Sequence, residues 1–202
     1  MTERLPPDAT GIAQAAAILR DGGLVAFPTD TVYGVAVAAS RRDRMDALFA
    51  LKRRPVDRRI PMLVSGLDEI PTGWVVDERA RALASRFWPG ALTLVLAPSE
   101  SGGESQAFRA PDHPVALALI REAGPLLTTS ANISDEPETL DADEVLVAFA
   151  TQNVELDAVV DGGPVPGGVA STVVDLTQPE ARILREGPVT ADMLADVVSL
   201  SP

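Results

Sequence analysis

The stretch GLVAFPTDTVYGV, residues 23–35, poses a physical problem. Leu24 to Phe27 is a short apolar run of the kind that forms a buried strand. The run meets Pro28 and then Thr29, Asp30, Thr31 and Tyr33, closing on Gly34. Hydroxyls and a carboxylate crowd the end of a strand that should be leaving water. In open α/β sheets, ligands sit beyond the carboxyl ends of strands. Thr and Asp also favour ordinary turns, so any one of these residues alone would carry little.

Working outward, helical and strand patterns alternate. Residues 8–21 place Ile12, Ala16 and Leu19 on one face, with Asp8 or Thr10 to cap the start and Gly22 to end it. Helical spacing recurs at 42–53, 77–88, 112–124, 141–150 and 190–200, the last capped by Thr190. Strands are expected at 59–65, 91–97, 107–111, 125–130, 157–163, 171–177 and 181–187. Pro61 marks the first of these as a candidate edge strand. The interleaving predicts one α/β domain spanning 1–202, with its core at about residues 10–190.

Composition narrows the function classes. The 202 residues include no cysteine, which removes a disulfide framework and a thiolate metal site. No run approaches the roughly 20 apolar residues of a membrane helix. The start, MTERLPPDAT, has no apolar signal core, so a cytoplasmic, membrane-free protein is expected. The net charge of −12 disfavours tight, sequence-independent RNA binding. Residues 41–59 run against that balance, with eight basic residues and three acidic ones. Such a patch suits a small polyanion, and an RNA-binding module is the competing reading. Within it stands Lys52, the only lysine of the chain.

Two further strand ends are polar: Arg109 follows one, and Thr128, Thr129, Ser130 and Asn132 another. Lys52, Arg53, Arg54, Arg58 and Arg59 could clamp phosphates, Lys as a point charge and Arg as a planar fork. The glycine-rich DGGPVPGGVAST, 161–172, could bring backbone N–H groups close to an anion. Walker-A and G-x-G-x-x-G patterns are absent. The only histidine, His113, lies in PDHP, where helix capping is its natural role.

Taken in order, PTDTVYG, KRRP, FRAPDHP, TTSANIS, STVVD and ILREG resemble the threonylcarbamoyl-AMP synthase (YrdC-like) family over roughly residues 10–190. The resemblance implies a twisted open mixed sheet flanked by helices, around a concave cationic site. It implies that L-threonine, bicarbonate and ATP give threonylcarbamoyl-AMP and pyrophosphate, with Mg²⁺ accompanying the ATP and no all-protein metal cage. A tRNA threonylcarbamoyl-transfer complex would accept the product, with weak or no direct tRNA binding by this chain. By the same resemblance, Thr31, Arg109, Ser130 and Ser171 hold threonine, and Tyr33 shapes its pocket. Lys52 and Arg54 form the catalytic K-x-R pair at the phosphates, with Arg58 beside them. Asn132, Arg185 and Ser105 match nucleotide-binding positions.

Departures are local. Leu63 stands where some members have histidine, Arg53 and Asp135 where glycine is usual, and Thr139–Leu140 at a family hydroxyl position. They keep open a nucleotide-binding relative that lacks the synthase reaction.

Overall fold

The structure is a computed structural model that describes residues 2–52, 60–133, 136–151 and 156–201. Its strands are β1 (Glu3–Leu5), β2 (Val25–Pro28), β3 (Tyr33–Ala38), β4 (Met62–Leu63), β5 (Leu92–Leu96), β6 (Gln106–Arg109), β7 (Leu126–Ser130), β8 (Ala158–Val160), β9 (Thr172–Asp175) and β10 (Arg182–Arg185). Its helices are α1 (Ala9–Arg20), α2 (Met45–Lys52), α3 (Glu78–Phe87), α4 (Pro114–Ala123), α5 (Ala142–Ala150) and α6 (Ala191–Ala195). The described strands form one mixed sheet in the order β1-β8-β2-β3-β7-β4-β6-β5-β9-β10.

The opening stretch resolves into a hairpin. β2 and β3 pair antiparallel, with Val25 opposite Ala36 and Pro28 opposite Tyr33. Thr29, Asp30, Thr31 and Val32 are therefore the turn, and Pro28 belongs to the strand. β3 carries no sequence signal of its own because all six of its residues are buried, which removes the polar alternation of a half-exposed strand.

Each sheet face has its own apolar cluster. On one face Val35, Leu127, Met62, Phe108, Leu92 and Leu94 pack under Leu48 of α2, Leu83 of α3 and Phe149 of α5. On the other, Val25, Phe27, Ala36, Ala38 and Leu126 meet Ile12, Ala16 and Leu19 of α1 and Val115, Leu119 and Ile120 of α4.

Helix starts follow their side chains. Asp8 accepts from the Thr10 and Gly11 amides, both at 3.0 Å, and so caps α1. Asp77 and Thr190 cap α3 and α6 in the same way. His113 occupies the N-cap position of α4 but makes no capping hydrogen bond, contrary to the sequence expectation. The helix expected from residue 42 begins at Met45, after a 3₁₀ segment over Ala39–Arg44.

Pro61 does not mark an edge. β4 lies inside the sheet, parallel to β6 and antiparallel to β7. Pro61 precedes the strand, so its missing N–H costs no ladder bond, and its carbonyl accepts from the Thr128 amide at 3.0 Å. The described edges are β1 and β10.

Gly11 tests how β1 is joined to α1. A side-chain carbon there would overlap the Pro6 carbonyl oxygen. Alanine would gain about 1 kcal/mol of helix propensity over glycine. The overlap outweighs that gain, so Gly11→Ala should lower the urea midpoint; an unchanged or raised midpoint would show that the link yields easily.

Candidate functional site

The two helices of the second face cover only part of it. α1 and α4 lie over the β8-β2-β3-β7 half, and among the described residues the apolar cluster reaches no further than Leu63 on β4. Alternation along each strand then decides what the remaining half presents. Phe108, Leu92 and Leu94 point into the first cluster. Arg109 and Thr93, their neighbours in sequence, therefore face the other way. Ser130 shares the face of Leu126 by the same rule, and pairs in register with Gly34 beside the hairpin turn. Beyond the two helices this face carries polar groups.

The turn itself is tightly organised. Thr29 Oγ1 accepts from the Thr31 and Val32 amides at 3.2 and 3.3 Å and donates to the Val32 carbonyl at 2.7 Å. Its hydroxyl lies 3.1 Å from that of Thr31. Arg109 clasps the turn from β6: Nη2 donates to Asp30 Oδ1 at 2.6 Å, and Nη1 lies 3.5 Å from Thr31 Oγ1. Arg109 Nε donates to the Gly90 carbonyl at 3.1 Å. The Arg109 and Asp30 side chains are only 11% and 15% exposed.

A second group adjoins it. Thr93 and Ser171 share a hydroxyl–hydroxyl bond of 2.8 Å. Arg185 grips the Ser171 carbonyl through Nε at 3.0 Å and Nη2 at 2.9 Å, and Nη2 also reaches Ser171 Oγ at 3.3 Å. Burial, and then the like charge of Arg109, hold the Arg185 guanidinium below its usual pKa, against a smaller opposing pull from Glu138. The two guanidiniums therefore feel one another, and Arg185 forms no ion pair among the described residues. On the β7 side, Ser130 Oγ donates to Asn132 Oδ1 at 2.7 Å, and Asn132 Nδ2 donates to the Glu136 carbonyl at 2.7 Å. Among the described residues the corner brings together the Arg109 and Arg185 guanidiniums, the Asp30 carboxylate committed to Arg109, and hydroxyls from the β2–β3 turn, β5, β7 and the start of β9. It is built to receive an anion that also carries hydrogen-bonding groups.

Comparisons with known proteins identify the family and the fold. A family model named for Sua5, YciO and YrdC, described as Telomere recombination, matches residues 17–187. The chain belongs to the Sua5/YciO/YrdC family. A putative threonylcarbamoyl-AMP synthase of Mycobacterium leprae is 40% identical over 203 residues, covering 96% of this chain and 90% of that protein. The threonylcarbamoyl-AMP synthase of Bacillus subtilis is 38% identical over 209 residues, covering 98% of this chain and 59% of its own length. Among solved structures, Pyrococcus abyssi Sua5 complexed with L-threonine superposes with a TM-score of 0.87 at 33% identity, covering all of this chain and 63% of that one. This chain thus spans about three-fifths of the Bacillus and Pyrococcus proteins.

Within this Sua5/YciO/YrdC fold, the sequence-predicted residues separate into groups. Thr31 and Arg109 meet at the hairpin turn, with Ser130 and Asn132 on the adjoining strand end. Ser171 and Arg185 meet across β9 and β10. Tyr33 is fully buried in the first cluster, on the face opposite Ser130. Its hydroxyl donates to the Gly163 carbonyl at 2.8 Å and accepts from the Gly162 amide at 3.2 Å, and burial raises its pKa to about 12. It ties the glycine-rich segment to the hairpin. Ser105 precedes β6 at the end opposite Arg109. Leu63, where some relatives carry histidine, is buried among apolar side chains. Lys52 closes α2 as its last residue. The Lys52 side chain, Arg54 and Arg58 lie outside what is described, as do Arg53, Arg59 and Asp135.

Sequence reasoning missed two contributors. Thr93 sits in ALTLVLA, where a threonine reads as an ordinary strand former. The Gly90 carbonyl that steadies Arg109 carries no side-chain signal at all.

His113 borders the same corner. Its Nδ1 is buried without a hydrogen-bond partner. Burial holds its pKa below the usual value, with Asp30 and Asp112 pulling the other way. On unfolding, the imidazole regains its ordinary pKa of about 6.5 and takes up a proton that the folded state resists. Stability should therefore fall as pH drops from about 6.5 towards the depressed folded value. Unfolding free energies at pH 7.5 and 5.5 should differ less in His113→Asn than in the parent protein. An equal loss in both would rule out the only histidine as its source.

Proposed function

We propose that this chain synthesises threonylcarbamoyl-AMP and pyrophosphate from L-threonine, bicarbonate and ATP. The observation that carries the reading is the half-covered sheet face, where Arg109 and Arg185 share a hydroxyl-lined corner and the Asp30 carboxylate is already paired with Arg109. The fold is the one in which Pyrococcus abyssi Sua5 was crystallised with L-threonine.

The chemistry assigns roles to this chain's residues. After the contacts to Gly90 and Asp30, Arg109 retains N–H groups on its terminal fork for the α-carboxylate of threonine. Thr31 and Ser130 present hydroxyls beside it. The free amine of threonine condenses with bicarbonate, forming an N–C bond and losing water, to give a carbamate. A carbamate oxygen then attacks the α-phosphorus of ATP, and the bond to the bridging oxygen of pyrophosphate breaks. Such a transfer depends on alignment and charge neutralisation more than on a protein nucleophile. Arg185 and Asn132, together with Lys52, Arg54 and Arg58, supply the nucleotide side. Mg²⁺ fits as a counter-ion carried by ATP: the Asp30 carboxylate in the corner is committed to Arg109, and among the described residues no group of three acidic or histidine side chains could hold a metal ion.

The product would pass to a tRNA threonylcarbamoyl-transfer complex, in the cytoplasm and with little direct tRNA contact by this chain. No described helix is long and apolar enough to cross a membrane. Two arginines of the basic patch are already bonded within the protein, which weighs against an RNA-binding module. Arg41 is engaged by Asp43 and the Asp21 carbonyl, and Arg44 by the Gly22 carbonyl.

Incubation with ATP, bicarbonate and threonine should release pyrophosphate only when threonine is present. Threonine-independent ATP consumption would favour a nucleotide-binding relative with another role. Arg109→Ala removes a charge-assisted contact worth about 1.5–3 kcal/mol, so threonine KM should rise at least about tenfold. An unchanged KM would take Arg109 out of the threonine site. Lys52→Ala and Arg54→Ala should each depress turnover while leaving thermal unfolding in place; normal turnover in either would dismiss the phosphate clamp.

A further inference from the structure

Thr93 is a polar residue in the middle of an apolar strand. All five residues of β5 are buried, and Thr93 is 5% exposed. Parallel pairing sets Thr93 beside Val173, and Ser171, two residues before Val173, lies diagonally across from Thr93 on the same face. Ser171 is 4% exposed. Their hydroxyl oxygens stand 2.8 Å apart.

The proton count of this pair is informative. Two hydroxyls carry two protons, and their mutual bond uses one. The other contact to either hydroxyl among the described residues is Arg185 Nη2, which donates to Ser171 Oγ and fills an acceptor position. Among the described residues, one O–H is therefore left without a protein acceptor, on side chains more than nine-tenths buried. Its neighbours Arg109 and Arg185 are donors only. A corner made of donors accepts an anionic oxygen and rejects an ammonium group.

We propose that Thr93 is a positioning residue: it donates to Ser171 Oγ and so turns the Ser171 proton outward, as a donor to a carboxylate-type oxygen of the amino-acid substrate or its carbamate. Arg185 takes the remaining acceptor position of Ser171 and prevents the hydroxyl from rotating to accept. This assignment rests on the proposed synthase reading, and it gives Ser171 a defined polarity as well as a location. Valine has the shape of threonine and cannot donate, so Thr93→Val leaves an acceptor position of Ser171 Oγ open and its proton no longer held in one direction.

The test is a double-mutant cycle on Thr93→Val and Ser171→Ala, with Thr93→Ser as the conservative control. Thr93→Val should raise threonine KM about tenfold, as loss of a hydrogen bond to a charged group does, with ATP KM and melting temperature little changed. Thr93→Ser should restore the parent KM. In the Ser171→Ala background, Thr93→Val should have no further effect, because its action passes through Ser171. Independent, multiplicative effects of the two substitutions would overturn the proposal, as would a Thr93→Ser variant as impaired as Thr93→Val. Neutron diffraction of the parent protein reads the same feature without turnover. A deuteron on Thr93 Oγ1 directed at Ser171 supports it, and one on Ser171 directed at Thr93 refutes it. A parent protein with no threonine-dependent pyrophosphate release would defeat the synthase reading instead, and the neutron map would still decide the proton order.

Discussion

One guanidinium holds the site together. Arg109 leaves the end of β6 and binds three groups in two segments: the Gly90 carbonyl ahead of β5 and, in the β2–β3 turn, the Asp30 carboxylate and, at longer range, the Thr31 hydroxyl. A nearly buried ion pair of this kind adds little net stability, because desolvating both charges offsets most of their attraction. Its physical contribution is direction. With Nε and one Nη2 proton committed, the guanidinium plane is fixed, and the remaining N–H groups point where a carboxylate can meet them. The hydroxyls of the turn are held by Thr29 in the same fixed frame.

That clamp can exist because the sheet is unevenly covered. Helices lie under the whole of one face, whereas α1 and α4 roof only half of the other. The roofed half is a conventional apolar layer of Val, Phe, Ala and Leu. The unroofed half keeps strand rigidity while turning alternate polar residues, Thr93 and Arg109 among them, to the side the two helices leave uncovered. Side chains on strands and strand ends are positioned more firmly than side chains on long loops, so preorganised charge can be placed there. Thr93, Arg109 and Ser130 are all consequences of this single architectural choice.

Strand alternation also separates residues that are neighbours in sequence. Tyr33 and Gly34 adjoin, yet Tyr33 enters the apolar cluster and bonds the glycine-rich segment, while Gly34 lies in register with Ser130 on the other face. His113 is a comparable case. It occupies a capping position without capping and keeps an unpartnered nitrogen near Asp30. The local pattern around it predicts a helix start correctly and says nothing of how the ring is used.

Much of this protein is legible in its sequence. The interleaved periods of two and 3.6 identify an α/β domain, most helix limits agree within one or two residues, and the ordered motifs identify the family. Those features depend on local chemistry: apolar spacing, caps at Asp8, Asp77 and Thr190, and glycines after helices. Features that depend on which strand lies beside which are not legible. β3 is hidden because burial on both faces erases its alternation, and β4 reads as an edge because Pro61 carries no information about its neighbours in space. The approach of Arg109 to Asp30 across 79 residues, and of Thr93 to Ser171 across 78, follows from sheet order alone. Local sequence sets what each segment can form, whereas long-range pairing, driven by burial of the whole sheet, decides which polar groups come together.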